Sequence, residues 1–401
     1  MKQNVIMDIQ KLNEKAKEYF DKKDFHSALN LLNISNLPKE LISNLAKCYY
    51  YTSQADKALE LILPLEKDEN LWIDVALYYT AIGEQDKALK IYERLDQTNP
   101  KVQFNSGWHY LTKDKFVQGF QKIVEGRKCR AWGHEYIYLE QGILNEKNRW
   151  NGEYTEHLLY ILEGGLGDQI IFLRWCEFLK SKCSKLTILC DNSLLRLLTN
   201  SGYDCQPFQT ISSISYTAYC PAMSVPEICQ FTSPKQHVNF PYIKSFTERY
   251  ITKQIDLVSK DRKKIGIRFY GNKEFEHDQF RSPPRNELEK LSKYGQLFSL
   301  QLEEQDGLIP NCNHLIKDWQ DTYSVFKSLD LLVTSCTSTA HLAGAMGIKT
   351  IVLVPLMPYF VWASDTMPWY EDNVTVIRQT KYNDWSEAIQ KLNKKIIEIL
   401  K

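Results

Sequence analysis

The 401-residue sequence has no CxxC pair, no long apolar run and almost no net charge. Each absence excludes a class of protein. A structural zinc site needs closely spaced Cys and His ligands, and the ten cysteines are scattered. They read as reduced thiols buried as small hydrophobes. Without about 18 consecutive apolar residues, no segment reads as a membrane span. A formal net charge of +1 gives no bulk attraction to nucleic acid or to an anionic membrane. The first residues lead into a charged helix without the apolar centre of an export signal, so the chain is expected in the cytoplasm. A hydrophobic fraction of 43% and a charged fraction of 25% fit a globular chain of two or three domains.

What is present begins with a repeat. Ala16, Ala46, Ala76 and Gly107 recur every 30 or 31 residues, and Tyr19, Tyr49, Tyr79 and Tyr110 keep step with them. Ala28, Ala58, Ala88 and Gly119 follow at the same intervals. Small residues at fixed positions let paired helices approach closely, and the aromatic is expected to fill the gap to the next unit. Residues 1–135 therefore read as a helical solenoid like tetratricopeptide repeats, with units shorter than the usual period of about 34. Such a solenoid has a concave surface suited to protein or peptide. Residues 136–156, together with Trp132, are rich in aromatics and read as a packed connector.

From residue 157 the pattern is α/β. Short apolar runs at 158–162, 186–190, 265–269, 297–302, 331–334, 350–354 and 374–377 read as strands, with helical stretches between most of them. Residues 206–245 read as loops with short strands. A break near 247–261 divides two Rossmann-like domains, 157–250 and 260–383. The segment 384–401 is an amphipathic helix expected to pack back on the earlier half.

Two stretches carry the chemistry. Gly164-Gly165-Leu-Gly167-Asp168 follows the first strand and opens a helix, a tight turn with one carboxylate at a helix start. Taken alone it reads equally as a ligand loop or a plain connection, because the full GxGxxG fingerprint is absent. Thr334-Ser335-Cys336-Thr337-Ser338-Thr339, after the strand at 331, supplies more hydroxyls than helix capping needs and reads as a phosphate site. His341 stands on the first turn of the helix that follows. Between these stretches, Arg268 and Gly271-Asn272 end another strand, and a polar loop holds Glu274, Glu276, His277, Asp278 and Arg281.

Gly165-Leu-Gly-Asp168, Arg281 and Thr337-Ser338-x-Ala-His341-Leu-Ala-Gly344, in this order, resemble the heptosyltransferase-like glycosyltransferases of family 9. The likeness is greater to their bacterial relatives that carry tetratricopeptide repeats. Trp150-x-Gly-Glu153, Pro355-x-x-Pro358-Tyr359 and Pro368-Trp369-Tyr370 extend it over essentially the whole chain. The resemblance implies a GT-B fold and inverting, metal-independent transfer from a nucleotide-diphosphate sugar, with no cofactor. It makes Asp168 the general base. It gives Gly165, Gly167, Arg281, Thr337, Ser338, Thr339 and His341 to the donor and its phosphates. Gln169, Arg268, Asn272, His277, Cys336 and Trp369 are further candidate substrate contacts. Heptosyltransferases proper have an aspartate where this chain has Cys336, which leaves the donor sugar open. The acceptor is a glycan, a lipid-linked sugar or a protein, recruited by the repeats. A nucleotide-sugar epimerase or hydrolase, and a non-catalytic repeat scaffold, are the alternatives.

Overall fold

A computed structural model describes residues 9–35, 37–65, 71–130, 133, 135–273, 277–302, 309–364 and 366–401. Trp132 and Glu274–Glu276, named above, lie outside the described residues. The chain forms two compact units. One comprises Met1–Asp96, Asn272–Phe280 and Lys381–Asn383; the other comprises Gln97–Gly271, Arg281–Thr380 and Asp384–Lys401.

Among the described residues the first unit holds three helical pairs: α1 (Ile9–Asp21) and α2 (Phe25–Leu32), α3 (Lys39–Tyr51) and α4 (Ala55–Ile62), α5 (Trp72–Ala81) and α6 (Gln85–Arg94). The repeating alanines Ala16, Ala28, Ala46, Ala58, Ala76 and Ala88 are fully buried where the helices meet. Of the repeating tyrosines, Tyr19 and Tyr49 are partly buried against the core of the first helical pairs. Tyr49 and Tyr79 stay half exposed beneath Lys57 and Lys87, at 5.8 and 5.4 Å, a recurring cation–π contact. The buried aromatics of these helices include Tyr50, Tyr78 and Tyr92, with the Tyr50 and Tyr78 ring centroids 5.2 Å apart.

The second unit starts with α7 (Pro100–Leu111), capped by the Asn99 side chain, and α8 (Phe116–Gly126). Glycine replaces alanine here because the helices are closer: a Cβ on Gly119 would stand 2.5 Å from Leu111 Cδ2. This fourth pair was grouped with the repeats on sequence, yet it falls in the second unit. Phe116 and Phe120 pack on Phe231, and Phe116 also meets Trp369.

Two all-parallel sheets follow. The first joins β1 (Thr155–Ile161), β2 (Cys183–Cys190), β3 (Cys205–Pro207) and β4 (Ala218–Pro221) in the order β3-β2-β1-β4. The second joins β5 (Lys264–Arg268), β6 (Gln296–Ser299), β7 (Leu331–Ser335), β8 (Thr350–Val354) and β9 (Val374–Arg378) in the order β6-β5-β7-β8-β9. Their centres are continuous apolar runs because helices cover both faces of a parallel sheet. One core joins α7, α8 and parts of both sheets.

The helix opened by the glycine turn runs Leu166–Phe172 and continues through a 3-10 turn into a second helix, Cys176–Lys180. The segment 247–261, expected to divide two domains, lies between β4 and β5 and carries a helix, Arg249–Ser259. The terminal helix, Ser386–Leu400, buries Ala388, Ile389, Leu392 and Ile396 with Ile265, Val333 and Ile351, so it covers the second sheet rather than the earlier half.

Candidate active site

Both glycine- and hydroxyl-rich turns sit where a parallel sheet favours ligands. In the first sheet the order reverses at β1, which has β2 on one side and β4 on the other. In the second it reverses between β5 and β7. Crevices form beyond the carboxyl ends of strands at such switch points. The turn Leu162–Gly165 leaves β1, and Cys336–Thr337 leaves β7.

The helices that follow, Leu166–Phe172 and Ser338–Met346, pack together. Gly167 makes this possible, since a Cβ there would stand 2.9 Å from His341 Cδ2 and 3.4 Å from Ser338 Cα. Gly164 takes a positive φ of 73° that only glycine adopts at little cost. Behind the turn, the buried Glu163 carboxylate pairs with Arg127 and accepts from Met223 N at 3.1 Å. The Tyr160 hydroxyl donates to Phe172 O at 2.7 Å and ties strand to helix end.

Asp168 is half-buried at this junction. Its Oδ2 accepts from Gly165 N at 2.9 Å and its Oδ1 from the Tyr359 hydroxyl at 2.6 Å. Burial raises the carboxyl to about 6; the bonds from Tyr359 and Gly165 and the charge of Arg281 oppose that rise. Arg281 donates to Cys336 O at 3.2 Å, and its field reaches both Asp168 and His341.

His341 is buried, stacked on Trp362 at 4.6 Å between ring centroids, with Nδ1 and the Tyr370 hydroxyl 2.9 Å apart. Burial, then Arg281, lowers its pKa to about 3, so the imidazole is neutral and offers a phosphate no charge. Thr337 stands at the helix N-cap without capping it. Its Oγ1 and Ser335 Oγ are buried and, among the described residues, have no hydrogen-bond partner. Orphaned buried hydroxyls are uncommon and cost about 1–3 kcal/mol each unless a ligand or water satisfies them. Ser338 is half-exposed beside them and Thr339 is buried.

Gly165, Gly167, Asp168, Ser338 and His341 thus come together, with Arg281 acting on Asp168 and His341 and bonded to the Cys336 carbonyl. Other candidates do not join them. Gln169 is buried and bridges two loops, its Oε1 accepting from Asp191 N at 2.9 Å. Arg268 donates to Leu300 O at 2.7 Å at the end of β5. Asn272 and His277 belong to the first unit, where His277 Nδ1 lies 2.8 Å from the Tyr50 hydroxyl. Trp369 is a core residue, beneath the Arg174 guanidinium at 4.5 Å. The residue missing from the sequence reading is Tyr359. Its only sequence signal was the Pro355-x-x-Pro358-Tyr359 turn after β8, which says nothing of Asp168.

No family model matches the chain, and no curated protein matches it. Among solved structures it is similar to ADP-heptose lps heptosyltransferase II of E. coli, at 11% identity over 60% of this chain and 99% of that one, with a TM-score of 0.43. It is similar to a family 9 glycosyl transferase from Veillonella parvula, at 10% identity over 63% and 99%, with a TM-score of 0.45. An O-GlcNAc transferase mutant from Thermobaculum terrenum aligns over 98% and 92% at 8% identity, with a TM-score of 0.33.

Proposed function

We propose that the chain is a GT-B-type glycosyltransferase moving a sugar from a nucleotide-diphosphate sugar to an acceptor hydroxyl, with inversion and without a metal. The observation that carries this reading is Asp168, a half-buried carboxylate at the junction of two helix starts, raised to about 6 and within the field of Arg281. A general base works best with a pKa near the working pH. Asp168 takes the proton of the acceptor hydroxyl as its oxygen bonds the anomeric carbon. The bond from that carbon to the diphosphate breaks, and the diphosphate leaves with the electron pair.

Arg281 and the hydroxyls of Ser335, Thr337 and Ser338 receive the developing charge. A fixed guanidinium and a helix start stabilise an anion without reorganising during the step. Neutral His341 and Gly167 hold the two helix starts in register. The acceptor is a glycan, a lipid-linked sugar or a protein, and the helical repeats recruit it.

The test is thermal-shift titration with UDP, GDP, ADP, CDP and dTDP, in EDTA and in Mg²⁺, on wild type, Asp168→Ala and Arg281→Ala. The expected result is that one nucleotide stabilises wild type in EDTA, still stabilises Asp168→Ala and fails with Arg281→Ala. Transfer from the matching sugar donor is then lost in Asp168→Ala. No shift with any nucleotide in folded wild type overturns the reading.

A further inference from the structure

Eleven large hydrophobic side chains are exposed among the described residues, and four of them fall within thirteen positions. They are Phe246 (55% exposed), Tyr250 (63%), Leu257 (60%) and Val258 (41%). All belong to the helix Arg249–Ser259 or the segment leading into it. The helix buries Ile251, Ile255 and Ser259 on one face. Spacings of three and four place Tyr250, Lys253 and Leu257 together on the opposite, outward face. An outward face of a globular protein is usually polar, so this stripe is out of place without a partner.

The charge around it is equally uneven. Residues 244–264 contain seven basic and three acidic side chains, an excess of four in a chain whose total is +1. Two of the three acids are engaged, Glu248 with Arg196 at 3.5 Å and Asp256 with Lys264. Arg249, Lys253, Lys260 and Lys263 are exposed and form no ion pair among the described residues. The near-zero net charge of the whole chain conceals this local patch.

We infer that this face docks on an anionic lipid surface. Tyr250, Leu257 and Phe246 enter the headgroup layer, while Arg249, Lys253, Lys260 and Lys263 meet lipid phosphates. Two copies of the face would set like charge against like, which opposes a symmetric self-contact. A nucleic acid would match the charge but leave the aliphatic Leu257 and Val258 without a partner. The inference rests on residues other than those around Asp168 and does not depend on the transfer reaction.

The experiment is co-sedimentation of the full chain with phosphatidylcholine vesicles, with and without phosphatidylglycerol, at low salt and at about 0.5 M salt, where the Debye length falls to about 4 Å. Wild type is compared with Tyr250→Ser/Leu257→Ser and Lys253→Glu/Lys260→Glu, whose thermal midpoints verify folding. Light scattering reports the mass of each protein in solution. We expect binding only to phosphatidylglycerol vesicles, loss at high salt, and at least a tenfold weaker binding in both double variants. Folded wild type that ignores anionic vesicles overturns the inference. So does unchanged binding in the variants, or a dimer that Tyr250→Ser/Leu257→Ser dissolves without any vesicle binding.

Discussion

Replacing Asp168 by asparagine is expected to abolish transfer and, above neutral pH, to stabilise the second unit. The Asp168 carboxyl is raised from 3.8 to about 6 in the folded chain. Between those values the folded state keeps a proton that the unfolded state has released. Stability therefore falls as pH rises through that window and is level above it. A rise of about two pH units corresponds to about 3 kcal/mol. Asp168 is partly exposed, so solvent screening reduces this to about 1.5 kcal/mol. Asparagine cannot ionise and escapes the loss, while its carbonyl still accepts from Gly165 N. The stability of the variant relative to wild type should grow by about 1–2 kcal/mol between pH 4 and pH 7, then stay constant. Urea unfolding followed by tryptophan fluorescence measures this, because of nine tryptophans only Trp72 falls in the first unit. A difference that is flat with pH, or that shrinks as pH rises, would refute both the raised carboxyl and its assignment as base.

Three further outcomes follow from the same geometry. Tyr359→Phe removes the 2.6 Å bond that opposes the rise at Asp168, so the acid limb of the pH–rate profile should move to higher pH, with transfer about tenfold slower at neutral pH. An unmoved acid limb would show that Tyr359 acts elsewhere. Thr337→Val removes an unsatisfied buried hydroxyl; the free chain should become no less stable, while the nucleotide-induced thermal shift shrinks. Gly167→Ala forces a Cβ to within 2.9 Å of His341 and should cost about 1–3 kcal/mol, read as a lower urea midpoint with weakened nucleotide binding. A Gly167→Ala chain as stable as wild type would mean that the two helix starts are not held in close contact.

The sequence by itself determined what is local. Short apolar runs located seven strands, and β8 matched its run at 350–354 residue for residue. The alternation of such runs with helices determined parallel sheets, and the recurring alanines located the close approaches of paired helices. β3 and β4 were legible only as short strands within a loop-rich stretch, since three or four residues carry little periodicity. Asp168 and Thr337 could be singled out because a glycine turn with a carboxylate and a run of hydroxyls each follow a strand, whereas Arg281, in a polar loop well beyond β5, was pointed to by the family resemblance alone.

Tertiary structure alone decided what depends on residues distant in sequence. It brought Tyr359 to Asp168 across 191 positions, and burial there moved the carboxyl to about 6. It buried His341 until it lost its charge, sent His277 to Tyr50 in the first unit, and turned Trp369 from a candidate contact into core. It also placed Tyr250, Lys253 and Leu257 on the outward side of a helix where the sequence showed only a break. A side chain's type and spacing are written locally, but its solvation and its neighbours are set by every segment that packs on it. Charge state and chemical role follow from those.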